Sequence, residues 1–272
     1  MALGLMGMFV IHPRESKGPR SDRDYVYLLC EWKIVPGTMR PDPMEMVEFN
    51  VLTLNAKSYP GTAPLLAQTG DRVRIRFGNL SAMDHHPIHF HGHYWWIVAT
   101  DGGDIPESAR WPEVTVLMPV GSTRPVEFIA DNPGDWAMHC HMTHHVMTQM
   151  GHGLPNLIGV NTDGLDKRAR KAVPGYMTMG ETGMGEMGMK VPRNSLPMIG
   201  ARGPHDYMTM GGMYTNIKIR DHLDSYDQDP GWYERPPGTV AETANAEDMK
   251  RDLGFVPDAT PGTHGAHSQH HG

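Results

Sequence analysis

Residues 130–141, ADNPGDWAMHCH, place a turn, a strand and three metal-ligating side chains in one run. Asn132-Pro133-Gly134 is a turn signal, because proline presets φ and glycine accepts conformations closed to other residues. The seven residues that follow, 135–141, read as a strand. Side chains alternate faces along a strand, which rises about 3.3 Å per residue. His139 and His141 therefore point one way and Cys140 the other. One strand can then serve two sites, one on each side of it.

Outward from this run, DRVRIRF at 71–77 alternates Val73, Ile75 and Phe77 with Arg72, Arg74 and Arg76, the pattern of a half-buried strand. Further strands are expected at 25–32 (YVYLLCEW), 46–54, 88–99, 114–118, 124–130 and 157–160. Turn signals at Pro60-Gly61, Gly102-Gly103 and 119–121 separate them. Many short strands between regular turns predict an all-β sandwich, and 25–162 is a normal size for one domain. Residues 14–24, polar and holding Pro19, read as a linker. Past 162 the composition shifts to Met, Gly and Pro, a long irregular extension over 163–261 in which only 214–220 (YTNIKIR) could make another strand. The Gly/His-rich end, 262–272, is expected to be disordered.

The 272 residues carry a net charge of -7 with no basic stripe, which argues against nucleic acid. No run of 18 apolar residues is present, so no membrane span is expected. Two Cys do not make a disulfide scaffold. Beside them stand 22 Met and 17 His, and ten of the histidines lie between 85 and 152. They fall in two clusters: HPIHFHGH at 86–93, and HCH at 139–141 followed by His145 and Met150. His89 and His91 share a strand face, while His86 has the other parity and is held by Pro87. His86, Cys140, His145 and a weak Met150 together make two imidazoles, a thiolate and a thioether, the donor set of a blue-copper centre. His89, His91, His139 and His141 would converge on a second copper site across the strand. Structural zinc favours paired Cys or Cys2His2 spacing and suits this pattern poorly.

Other residues near the clusters receive quieter readings. Met147 competes with Met150 for the weak position. His85, His93, His144 and His152 have no ligand role. Cys30, in an apolar strand, reads as a buried free thiol, since a bond to Cys140 would remove the thiolate. Trp95, Trp96 and Trp136 read as packing aromatics. Nine methionines from Met177 to Met213 suit either a solvated loop or Cu(I) capture by thioethers. Candidates for the latter are Met177, Met179, Met184, Met187, Met189, Met208, Met210 and Met213.

HPIHFHGH and HCHMTHHVMTQM resemble the two ligand motifs of the last cupredoxin domain in multicopper oxidases, the laccase-like enzymes and metallo-oxidases. GDRVRIRFGNL and ADNPGDWAMHCH resemble the same family, and the bacterial two-domain type with a Met-rich extension is the nearest in pattern. The resemblance implies a cupredoxin-like Greek-key β-sandwich. It matches His86, Cys140, His145 and axial Met150 to type 1 copper, His89 to type 2 copper, and His91, His139 and His141 to type 3 copper. It implies one-electron oxidation of Cu(I) or a phenol, electrons passing through Cys140 to His139 and His141, and dioxygen reduced to water. It also implies work in the periplasm or outside the cell, and assembly as a homotrimer in two-domain forms.

The family's cluster uses eight histidines, four of them from an amino-terminal cupredoxin domain. Here the only His-x-His pairs lie within the two clusters, so the chain is expected to supply half of that site and to be inactive alone. Residues 1–13, MALGLMGMFVIHP, resemble the final strand of the missing domain. Two other readings stay open. One is a copper-binding electron-transfer module without turnover. The other is a copper nitrite reductase, which the adjoining His-Cys-His and His-x-His sets disfavour.

Overall fold

The structure, a computed structural model, describes residues 3–15, 19–33, 40–45, 49, 51–146, 171, 201–203, 206–208, 212–239 and 245–254. In chain order the strands are β1 (Arg23–Trp32), β2 (Val51–Leu54), β3 (Leu65–Gln68), β4 (Arg72–Asn79), β5 (His86–Phe90), β6 (Trp95–Ile97), β7 (Ala99–Thr100), β8 (Gly103–Asp104), β9 (Trp111–Glu113), β10 (Thr115–Met118), β11 (Thr123–Ile129), β12 (Gly134–Cys140), β13 (Ala201–Gly203), β14 (Asp206–Met208) and β15 (Tyr214–Arg220). A single helical turn, α1 (Thr143–Val146), follows β12, and α2 is Ala246–Leu253. A six-stranded sheet runs β2-β1-β4-β11-β6-β9 and a five-stranded sheet runs β10-β5-β12-β15-β3. Their inner faces enclose one core, which makes the fold a cupredoxin-like β-sandwich.

Strand parity accounts for the layers. On β4, Val73, Ile75 and Phe77 are fully buried, and Phe77 meets Trp95 edge-on at 5.7 Å. The alternate arginines turn to the other face, where Glu127 of β11 accepts from both Arg72 and Arg74, and Asp24 of β1 pairs with Arg76. On the opposing sheet His86, Ile88 and Phe90 of β5, and Met138 and Cys140 of β12, are all buried. His89 and His139 sit directly opposite each other across the β5–β12 ladder. Their parity sends them to the outer face of the five-stranded sheet.

Two differences from the sequence reading have physical causes. The run expected as one strand over 88–99 is broken after Phe90. Gly92 takes φ +74, and the chain crosses there from one sheet to the other to begin β6. Of the strand expected at 46–54, residues 51–54 form β2, and 46–48 and 50 lie outside the described residues. Strand β3 gives little local signal because its pairing, parallel to β15, is distant in sequence, and β9 is a three-residue edge strand interrupted by Pro112. The stretch 157–160 lies outside the described residues.

β15 lies between β12 and β3, inside the five-stranded sheet. The sandwich therefore takes a central strand from the region read as extension. Residues 221–233 fold back over β12 and β15. Lys218 Nζ meets Asp229 at 2.6 Å, Arg220 meets Asp135 at 2.7 Å, and the Tyr233 amide donates to Asp135 at 2.7 Å. Near the amino terminus, residues 5–13 carry no strand assignment. There Met6 Sδ accepts from the buried Cys30 thiol at 3.3 Å. A second compact unit begins at Glu234. Its helix α2 is capped by Asn245, which accepts from the Asp248 amide, and is ended by Gly254 at φ +77.

Candidate metal centre

β5, β12 and the turn α1 bring His86, Cys140 and His145 together inside the sandwich. Their ligand atoms lie within 4.8 Å of one another and all three residues are buried. Cys140 Sγ is 3.8 Å from His86 Nδ1 and 3.4 Å from His145 Nδ1, and the two Nδ1 atoms are 3.2 Å apart. The Cys140 amide is tied to Met213 O at 3.0 Å, which fixes the strand end that carries the sulfur.

Burial controls the protonation of this set. Desolvation, reinforced by His145, pushes His86 down to about 3, so its ring is neutral and free to ligate. Desolvation also pushes the Cys140 thiol up to about 12, against the pull of the Met142 amide. Without a metal Cys140 is a thiol, and metal binding must release its proton. One buried sulfur and two imidazoles in near-contact suit a copper ion that exchanges one electron.

The second cluster lies across β12. His91 Nε2 is 3.1 Å from His139 Nε2. The His89 ring lies 4.8, 5.5 and 5.2 Å from those of His91, His139 and His141. His139 Nδ1 donates to Cys140 O at 2.8 Å, which sets its tautomer and leaves Nε2 bare for a ligand role. His89 Nδ1 meets Thr115 Oγ1 at 2.7 Å. Desolvation lowers His139 to about 4 and lowers His89 and His91. His91 and His141 are exposed, so this cluster opens outward.

Metal-free protein is predicted to lose stability as pH falls from about 6.5 toward 3. The folded state holds His86 far below its ordinary value of 6.5, so the unfolded chain takes up the proton first. Urea midpoints measured across that range check this, and His86→Asn should flatten the acid limb.

The remaining sequence-predicted residues divide. Met150, Met147 and His152 lie outside the described residues, as do Met177, Met179, Met184, Met187, Met189 and Met210. Met208 falls on β14. Met213 is fully buried in the core, and its carbonyl accepts from the Cys140 amide. His85 accepts from the Val120 amide through Nδ1 at 3.0 Å. His93 is stacked on Phe90 at 5.2 Å. Trp95 is core, whereas Trp96 is substantially exposed. Sequence reasoning passed over Ser81, Asp84 and Thr115, which touch the ligand imidazoles, and Glu31. A lone acid in the apolar run YVYLLCEW was the available signal for Glu31.

A β-sandwich with a buried Cys between two outward histidines defines a copper-binding cupredoxin-type domain. The family model described as multicopper oxidase matches residues 35–157. The multicopper oxidase MmcO of Mycobacterium tuberculosis is 37% identical over 98 residues, 36% of this chain and 18% of that protein. Laccase-6 of Arabidopsis thaliana is 29% identical over 105 residues, 35% of this chain and 18% of that protein. Among solved structures, the blue copper oxidase of Nitrosomonas europaea aligns with a TM-score of 0.43 at 24% identity, covering 72% of this chain and 43% of the other. A copper nitrite reductase of the same organism aligns at 0.40 and 21%, covering 47% and 46%. Residues 35–157 therefore match a multicopper oxidase domain, and copper is the cofactor that this match implies. The chain spans less than a fifth of the length of these two curated relatives.

Proposed function

We propose that this chain forms the electron-receiving part of a copper oxidase. Copper in the two places supplies one-electron oxidation of Cu(I) or a phenol at the type 1 position and reduction of dioxygen to water at the type 2/type 3 position. One observation carries the reading: β12 sends Cys140 Sγ to His86 and His145, and its neighbours His139 and His141 to His89 and His91. The backbone on either side of Cys140 is then the shortest covalent route between the sites. The buried pocket around Cys140 excludes water from the sulfur. His86 and His145 would hold a metal there with Cys140, and Met150 would be a further, weaker donor. On the outer face His89 serves the type 2 position, and His91, His139 and His141 serve type 3. Four further histidines come from an amino-terminal cupredoxin domain, in the same chain or in a second copy of a trimer. Such an enzyme works in the periplasm or outside the cell, and among the described residues no helix is long and apolar enough to cross a membrane.

A carrier without turnover is a second reading. It is favoured by the closed, buried His86–Cys140–His145 set beside the exposed His91 and His141. Copper stoichiometry and oxygen uptake with Cu(I) or a phenolic dye, in the presence of the partner domain, decide between them. Several coppers with oxygen consumption are the expected result. A single copper with no consumption makes the chain a carrier.

A further inference from the structure

The loop 80–85, between β4 and β5, reaches the outer nitrogens of both histidines that flank Cys140. Ser81 Oγ lies 2.6 Å from His86 Nε2, and Asp84 Oδ2 lies 3.5 Å from His145 Nε2. Such outer partners fix the plane and tautomer of a ligating imidazole. The loop is itself held at two points. Asn79, at the end of β4, donates to Asp84 O and Met118 O at 2.9 Å each and accepts from the Ser81 amide at 2.9 Å. The second point comes from a different strand. Glu31 of β1 accepts on Oε1 from the amides of Met83 at 2.8 Å and Asp84 at 3.2 Å.

Glu31 is a costly residue for this place. It is 7% exposed, and its Oε2 is buried without a hydrogen-bond partner. A carboxyl group there loses hydration that an apolar side chain would not need. Burial raises its pKa to about 7, with Asp84 adding to the rise. In return Glu31 accepts from the two loop amides and lies within hydrogen-bonding reach of the Asp84 carboxyl.

We propose that Glu31 is a positioning residue: its carboxyl clamps the 80–85 loop so that Ser81 and Asp84 hold the imidazoles of His86 and His145 in place. The inference rests on reading those histidines as copper ligands. Glu31 touches neither histidine and acts only through the loop.

Two measurements test it. Amide exchange on the metal-free parent protein should show the Met83 and Asp84 N–H groups protected, although Met83 is 57% exposed. Exchange at the rate of an unbonded loop overturns the clamp. In copper-loaded protein, Glu31→Ala should weaken copper binding by roughly 10- to 100-fold, the range for loss of an outer partner. It should also shift the visible thiolate-to-copper band. Glu31→Gln keeps an oxygen for both amides and should restore most of the affinity and the band position. Unchanged affinity and band in the Ala variant overturn the proposal, as does a Gln variant as impaired as Ala. If Glu31→Ala does not fold, the parent's amide exchange still decides. That measurement needs no copper, so the clamp and the copper assignment can fail separately.

Discussion

Replacing Cys140 by Ser is expected to abolish the intense visible absorption of the copper-loaded protein. That absorption requires a thiolate bound to copper, and a serine hydroxyl supplies neither the sulfur nor its easily displaced electrons. Cys140 is the sulfur that faces His86 and His145 at 3.8 and 3.4 Å. Cys30 is also buried, but its thiol contacts Met6. Serine is smaller and the site is enclosed, so the fold should survive and His139 and His141 should keep their outward faces. Absorption and electron paramagnetic resonance on parent and variant, at equal copper loading, check the result. A band that persists in Cys140→Ser would remove the basis for the type 1 assignment.

Gly92→Ala is expected to destabilise the domain by about 2–5 kcal/mol. Gly92 sits at φ +74, where a Cβ costs about 1–2 kcal/mol. The added carbon would also fall 2.2 Å from the Trp136 ring, and overpacking of this kind costs about 1–3 kcal/mol more. The ring cannot simply step aside, because Trp136 Nε1 donates to Asn132 O at 2.8 Å. Urea unfolding measures the loss. Gly103→Ala is the control: φ is +114 there but a Cβ meets nothing within 4 Å. Gly103→Ala should therefore show the backbone cost without the collision. If the two variants lose equal stability, the Trp136 contact has no part in the effect. Because Gly92 adjoins His91, the first variant should also weaken metal binding on the outer face.

The parts of the fold that sequence reveals best are those with local alternation. Val73, Ile75 and Phe77 against three arginines mark β4, and His139, Cys140 and His141 mark β12 with both of its faces. The donor groups were legible for the same reason, since spacing along a strand fixes direction. Long-range pairing was less legible. Residues 214–220 read as a possible strand, but nothing near them in the chain says that they belong between β12 and β3. The break at Gly92 was hidden by the apolar and aromatic residues on both sides of it, which suit a strand equally well in either sheet. The loop contacts of Ser81, Asp84 and Glu31 depend on three segments meeting in space, and no single stretch contains them.

The placement of β15 bears on how the polypeptide matures during synthesis. When the ribosome has released everything up to Cys140, the five-stranded sheet still has an open seam where Tyr214–Arg220 will enter. Closing so long an interval carries only a modest, slowly growing entropic cost, but it cannot happen until the later segment has emerged. Until then β12, with Cys140 and His139, is an unprotected sheet margin. A nascent chain in that condition is open to stray metal ions and to pairing with its neighbours.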